Sequence, residues 1–252
     1  MAESGGVKAA GRTIDLFEAL VDACGPLTLT DLARRLDIPM SSCHALVRTL
    51  QSRGYLYILD ERKRIYPTKR LGELAATIAK FDPVLERLGP ILKNLATVTG
   101  ETSIIGKHQG DHVVYLDVQE GTHTVRFRAA AGDVRPSHSS AVGKSTLSLL
   151  DDDELTRVIR RLKRSKVTEK TITDPAALRA DIIASRKRGY FISRGETVID
   201  VMGVSIAQKI GGELYAIGVA GPFPRVEANL EKYVKALRAA ARVIAGADQM
   251  VL

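Results

Sequence analysis

Cysteine is scarce in this chain: there are two in 252 residues, Cys24 and Cys43. Two thiols make no disulfide framework, so a reduced cytoplasmic setting is expected. No apolar run reaches the length of a membrane span. The opening MAESGGVKAAGR has no apolar core of the kind a secretion signal carries. Enzyme signatures are missing too. Ser, His and Asp are present, but no GxSxG elbow presents a nucleophile. The GVAG at 218–221 stands in no strand–GxGxxG–helix context. Residues 141–145, AVGKS, resemble the tail of a phosphate-binding loop, yet His138 stands where its first glycine is required. His108, His112, His123 and His138 lie 4, 11 and 15 residues apart with no cysteine among them, which is no compact ligand set. Neither catalysis, nor a metal, nor a cofactor is expected.

What is present is a globular composition with a basic bias. Apolar residues make up 45%, enough for a core, and 37 Lys+Arg against 29 Asp+Glu leave a formal charge of +8. The excess is local. Residues 40–70 hold seven basic and two acidic side chains, and residues 157–170 hold seven and one. The first cluster suggests a polyanionic partner; the second reads as a solvated helix and loop.

Residues 11–23 carry Ile14, Leu16, Phe17, Leu20 and Val21 near helical spacing, and Cys24-Gly25-Pro26 ends that helix. Thr28 or Thr30 can cap a second helix that turns Leu32, Ala33 and Leu36 inward. After the turn Ile38-Pro39-Met40, Ser41 or Ser42 starts a third helix with Cys43, Leu46, Val47 and Leu50 on one face; Gly54 stops it. YLYILD and RIYPT then read as two short strands around a charged turn. This order is the winged helix-turn-helix pattern, whose third helix enters the major groove of double-stranded DNA. Ser41, Ser42, His44 and Arg48 face outward and are candidate base and phosphate contacts. Thr30, Arg34 and Arg35 on the preceding helix are candidate backbone contacts. Arg62, Lys63 and Arg64 form a wing tip suited to phosphate or the minor groove. Residues 1–67 are thus the DNA-reading domain, and 68–82 form a linker helix broken at Asp82-Pro83.

From 83 to 252 the pattern changes. A helix at 83–98 precedes strands ETSIIGKHQ and HVVYLDVQ, and THTVRFRAA reads as a third strand. Helices follow at 141–150, at DDDELTRVIRRL, and from Asp174 as cap and Pro175 as first turn to Gly189 as stop. YFISRGE, DVMGVSIAQKI and ELYAIGVAGP are strands, and a long helix, 224–249, closes the chain. The fold class is α+β, with a mostly antiparallel sheet flanked by helices. The turn at Ser139–Gly143 opens a helix whose free amides favour an anion.

These pieces, in this order, resemble the IclR-type bacterial transcriptional regulators. The likeness rests on PLTLTDLARRLDIPMSSCHALVRTLQSRGYL in the first domain. In the second it rests on GETSIIG, VVYLD, PSHSSAVGKSTL, TITDPAALRADI, RKRGYFISRGE and GVAGP. The resemblance implies a profilin- or GAF-like effector-binding domain, a homodimer or dimer of dimers, a DNA operator, and a small effector, commonly a carboxylate. It also implies an effector site at Ser140, Ala141 and Val142 together with Ser193, Val201, Gly203, Gly218 and Ala220. Glu196 and Asp200 would serve polar ends of the ligand or the loop itself. The chain departs from the family at three places. Met40-Ser41-Ser42 and His44-Ala45 stand where Lys-Ser-Thr and His-Arg are frequent, Ala207 replaces a customary Pro, and Ser193-Arg194 replaces an acidic pair. A small, apolar wall without that acidic pair makes an aromatic acid the first expectation for the effector, and the chain a repressor or activator that responds to it. Two other readings stay open: a second domain used only for oligomerisation, and an enzyme fused to a DNA-binding domain.

Overall fold

The computed structural model describes residues 7–81 and 83–248. The predicted break at Asp82 and the last residue of the predicted closing helix fall outside that range. The chain divides into two compact units, residues 1–82 and 83–252, which are described separately. Among the described residues no helix is long and apolar enough to cross a membrane.

The first unit packs α1 (Lys8–Asp22), α2 (Leu29–Arg35) and α3 (Met40–Ser52) around one small core, followed by β1 (Leu56–Ile58), β2 (Ile65–Pro67) and α4 (Arg70–Lys80). Leu16, Leu20, Leu32, Cys43, Val47, Leu50, Leu56 and Ile65 fill the core. Ile14 and Val21, which share the helical spacing of α1, remain exposed because the helix turns only its Leu16–Ala19–Leu20 stripe inward. Thr28 caps α2 in a reciprocal box: its hydroxyl accepts from the Asp31 amide at 3.2 Å, and its own amide donates to Asp31 Oδ2 at 3.3 Å. The third helix starts one residue earlier than Ser41. Pro39 occupies its cap position, and no side chain caps it, because the fixed proline φ of −55° already sets the helix entry. Gly54 follows the helix at φ +76°, a left-handed position that glycine reaches without strain. The hairpin pairs Leu56 with Pro67 and Ile58 with Ile65, and Leu27 bridges to Ile65 on the other side.

The second unit is a six-stranded antiparallel sheet in the order β5-β4-β3-β8-β7-β6. The strands are β3 (Thr102–Gln109), β4 (His112–Gln119), β5 (Val134–Pro136), β6 (Phe191–Arg194), β7 (Val201–Ile210) and β8 (Glu213–Pro222). Strand alternation gives the sheet two apolar faces. Ile105, Met202, Val204, Ile217 and Val219 pack against α5 (Pro83–Thr99) and α10 (Leu230–Asp248). Ile104, Val113, Tyr115, Ala216 and Ala220 face the other way, toward Val142 of α6 (Ala141–Leu147). Behind α6, α7 (Asp152–Arg161) and α8 (Pro175–Arg188) build a third core with Leu147, Leu155, Leu178, Ile182 and Phe191.

Three expectations are corrected here. THTVRFRAA is irregular rather than a strand; β5 takes the free edge of β4 instead, pairing Val113 with Arg135 and Val114 with Val134. In 122–130, Phe127 and Ala129 tuck inward without strand pairing while Val125 stays exposed. The closing helix is two helices, α9 (Phe223–Ala228) and α10, broken at Asn229, whose side chain donates to the Arg225 carbonyl at 2.9 Å. The helix read as 141–150 ends at Leu147.

Candidate functional site

Two surfaces carry functional side chains, one in each unit. On the first, α3 presents Ser41, His44 and Arg48 to solvent, with Ser42 half-buried at the edge of the stripe. Among the described residues Arg48 makes no ion pair, so its guanidinium is free for a partner from outside. Thr30 and Arg35 are exposed on α2. Arg34 is exposed as well but leans on the capping carboxylate, 2.9 Å from Asp31 Oδ1. The hydrogen bonds from Thr28 hold the Asp31 carboxyl below the usual carboxylate range, with Arg34 and Arg35 adding to the effect. At the wing tip, Arg62 and Lys63 project into solvent. Arg64 differs: its Nε donates to Asp60 Oδ2 at 2.6 Å and its amide to Asp60 Oδ1 at 3.3 Å, so it closes the turn. The second basic cluster is similarly absorbed in part. Arg164 donates to the carbonyls of Leu162 and Thr173, each at 2.9 Å, tying down the C-terminal end of α7. Lys170 lies over the Phe223 ring, 5.5 Å from its centre.

On the second unit, a cavity of about 40 Å³ lies between α6 and the sheet. Its walls bring together Ser140, Ala141, Val142, Ser193, Val201, Gly203 and Ala220. Gly218 is near but does not line it: a Cβ there would sit 3.2 Å from Val142 Cγ2, so the glycine lets α6 lie close to the sheet. Gly203 has the same role against Ala141, whose Cβ is 3.2 Å from where its own would be. Gly143 is stricter, since a Cβ would stand 2.5 Å from the Ser137 Cα. The hydroxyls on the walls are partly committed. Ser140 Oγ donates to the Pro136 carbonyl at 3.0 Å and accepts from the Gly143 amide at 3.1 Å, which caps the short helix and uses one of its free amides. Ser193 Oγ donates to the Ser139 carbonyl at 2.7 Å, and Thr197 Oγ1 to Ser139 Oγ at 3.3 Å.

Ile104, Tyr115, Phe127, Arg135, Thr197 and Val198 complete the walls, and sequence reasoning did not find them. Ile104 and Tyr115 were within reach, since strand alternation puts them on one face, but nothing in the sequence says which face meets the helix. Burial pushes the Tyr115 hydroxyl up to about 12, so the phenol stays neutral. Glu196 does not line the cavity. It turns to Lys144, whose buried ammonium donates to Glu196 Oε1 at 2.7 Å and to Asp181 Oδ2 at 2.9 Å. Burial raises the Glu196 carboxyl against the opposing pull of Lys144. Asp200 is exposed, and its carbonyl accepts from the Phe223 amide at 2.8 Å. The histidines are not gathered: among the described residues no three His, Cys, Asp or Glu side chains could hold a metal. Burial keeps His138 below its usual range and hence neutral, with Nε2 3.0 Å from the Ser165 carbonyl.

A winged helix-turn-helix with a free cationic recognition face, joined to an α+β unit with a roofed cavity, defines a DNA-binding transcriptional regulator with a small-molecule sensor. Comparison with known proteins gives the family. Residues 9–58 match the IclR helix-turn-helix domain, and residues 76–246 match the C-terminal domain of the bacterial transcriptional regulator IclR. The HTH-type transcriptional regulator BhcR of Paracoccus denitrificans is 31% identical over 243 residues, covering 95% of this chain and 87% of its own. The crystal structure of Thermotoga maritima IclR superposes with a TM-score of 0.80 at 23% identity, covering 93% of this chain and 96% of that one. An IclR homologue from Microbacterium hydrocarbonoxydans, solved in complex with 4-hydroxybenzoate, gives a TM-score of 0.74 at 22% identity over 94% and 97%. The chain belongs to the IclR family of bacterial transcriptional regulators, and it is a regulator rather than an enzyme.

The Lys144 cluster sets a stability expectation. Lys144→Met leaves Glu196 without its counter-ion in a buried place, which should cost about 3–5 kcal/mol in urea unfolding. Adding Glu196→Gln to the same chain should recover part of that loss. Equal unfolding midpoints for the single and double variants would show that the two groups are not coupled.

Proposed function

We propose that the protein regulates transcription in response to a small organic acid, with an aromatic acid as first choice, bound in the cavity between α6 and the sheet. The observation that carries this reading is the cavity itself: small residues from α6, β6, β7 and β8 converge there, mostly apolar, and the rings of Tyr115 and Phe127 stand among the remaining wall residues. The 4-hydroxybenzoate bound by the Microbacterium homologue supports the choice of class. The space is smaller than the cavity of about 150 Å³ that encloses a benzene ring, so an aromatic acid must open it. The side able to yield is the 195–200 loop, where Val198 and Ile199 are exposed and Gly195 has φ +70°. On this reading the α3 helices of a dimer read successive major grooves, Ser42 and Arg48 supplying base or phosphate contacts with help from Ser41 and His44. Ligand binding then biases DNA affinity to the extent that it favours one conformation over the other. A cytoplasmic location goes with DNA binding and with two free cysteines.

The dimer is part of the same reading. In its own unit α4 buries no side chain, yet it exposes Leu74 and Ile78, and Phe81 follows at its end. Such a stripe fits a second copy of the chain.

Three measurements test these points. On a fragment selected for binding, Ser42→Ala and Arg48→Ala should each weaken operator affinity by about 1–3 kcal/mol. Unchanged affinity would remove α3 from the interface. Val201→Trp should fill the cavity and abolish the effector's influence on operator release while leaving effector-free DNA binding intact; a wild-type dose response would move the ligand elsewhere. Ile78→Asp combined with Phe81→Asp should convert the species seen in sedimentation velocity to monomer. Persistence of the dimer would assign the interface to another surface.

A further inference from the structure

The cavity wall contains one cation, Arg135, and its environment says what the cavity binds. Arg135 stands on β5, opposite Val113, and leads through Pro136 into the turn that starts α6. One end of its guanidinium is held: Nη2 lies 2.8 Å from Asp133 Oδ2. The plane is steadied by Tyr115, with the guanidinium carbon 5.7 Å from the ring centre. The Nε–H is out of contact with solvent and makes no hydrogen bond among the described residues; the nearby Tyr115 hydroxyl interacts with the guanidinium but, being neutral, leaves its charge unmet. A buried, charged donor without an acceptor is a costly arrangement unless an acceptor arrives from the cavity.

The other polar groups on the walls cannot take that part. The hydroxyls of Ser140, Ser193 and Thr197 already donate to protein atoms. No Asp or Glu lines the cavity. The neutral Tyr115 phenol adds no negative charge to repel an anion. The guanidinium edge that matches the two oxygens of a carboxylate is made by Nε and Nη2; Nη2 gives one hydrogen to Asp133 and keeps a second, and no other side chain on the described wall can form that bidentate pair.

We propose that Arg135 is the residue that anchors the effector through its carboxylate, and that Tyr115 and Phe127 flank the compact apolar body attached to it. This rests on the reading of the cavity as the effector site and narrows the ligand to monocarboxylates. Dicarboxylates are disfavoured, because Arg135 is the only cation on the wall. Capture of the carboxylate by β5 loads the segment 136–140, which runs directly into α6, so recognition and the movement of that helix share one piece of chain.

The test uses the full-length protein, isothermal calorimetry, and acid–amide pairs as probes: benzoate with benzamide, 4-hydroxybenzoate with 4-hydroxybenzamide, and pyruvate with pyruvamide. The wild type should bind at least one acid and bind its amide at least about tenfold more weakly, the range for a lost charge-assisted bond. Arg135→Gln should weaken the acid by about 10–100-fold and leave the amide nearly unchanged. Arg135→Lys keeps the charge and the pairing with Asp133 but loses the fork, so it should fall between the two; it also serves if the Gln variant does not fold. Operator binding without ligand should match the wild type. Acid affinity unaltered in both variants, or acid and amide bound alike by the wild type, overturns the assignment of Arg135 while leaving the cavity as the effector site. If no probe binds the wild type, the organic-acid reading of the cavity fails and the assignment fails with it.

Discussion

One buried ammonium holds the ligand-facing half of the second unit together. Lys144 of α6 is 1% exposed and reaches two carboxylates, Asp181 on α8 and Glu196 in the loop after β6. An unpaired charge in that position would be strongly unfavourable, so the three segments are kept within hydrogen-bonding distance of one point. Everything that forms the cavity follows from where that point lies. Helix α6 is pressed onto the sheet, and Gly106, Gly203 and Gly218 accept it, since each would place a Cβ within 3.2 Å of a side chain of that helix. Thr197 and Val198 follow Glu196 directly in the same loop, which is therefore anchored near its base while its tip stays exposed. The loop is held at both ends, by Glu196 on Lys144 and by the Asp200 carbonyl on the Phe223 amide, and only its tip, Val198 and Ile199, is exposed.

The basic bias of the chain divides into cations that the fold consumes and cations that it leaves over. Arg64 closes the wing turn, Arg164 ties down a helix end, and Arg225 sits against the buried Glu101 at 2.8 Å. These contribute to the +8 yet are not offered to a polyanion. Arg48, Arg62 and Lys63 are different, being exposed and without protein ion pairs among the described residues. Surface ion pairs are weak, so Arg34 beside Asp31 can still exchange that partner for a phosphate. Net charge was a poor guide to function; the free charges on one helix and one hairpin are the useful part.

The first unit was legible in the sequence because its signals are local. Thr28 with Asp31, and Gly54 after α3, are short-range chemistry that leaves little room for another outcome. The α8 helix was as clear, with Asp174 accepting from the Ala177 amide at 2.7 Å and Gly189 at φ +81°. Misreadings occurred where a distant partner decides. Residues 122–130 alternate like a strand, but the edge of β4 is taken by Val134–Pro136, which is too short to show a period. Asn229 breaks the closing helix by a single side-chain bond to Arg225. Arg135 was invisible for the same reason: it lies in a Gly-, Pro- and Ser-rich stretch that reads as loop, and only the sheet edge gives it a direction. Of the residues that matched a family pattern, Ser140, Ala141, Val142, Ser193, Val201, Gly203 and Ala220 line the cavity and Gly218 does not; those that distinguish this chain's pocket had to be seen in three dimensions.

The size of the cavity bears on how such a sensor works. A space of about 40 Å³ offers room for water-sized occupants and is smaller than the roughly 150 Å³ that encloses a benzene ring. A ligand larger than that binds only an opened conformation, and by linkage it stabilises that conformation by its difference in affinity for the two. The closed form must be stable without ligand, and the Lys144 cluster with the close glycine contacts gives it that stability. On the proposed reading the opened form must nonetheless be within reach, so the part that moves is the tip of the loop between its two held ends. Exposed apolar side chains at the tip, Val198 and Ile199, meet that need: they lose little contact on moving and can cover a bound ring afterwards. On the proposed reading the Arg135 Nε–H works in the same direction, since an entering carboxylate supplies its acceptor. On that reading the held ends of the loop and the unmet Arg135 donor oppose one another, and a ligand that supplies both a carboxylate and an apolar body shifts the balance.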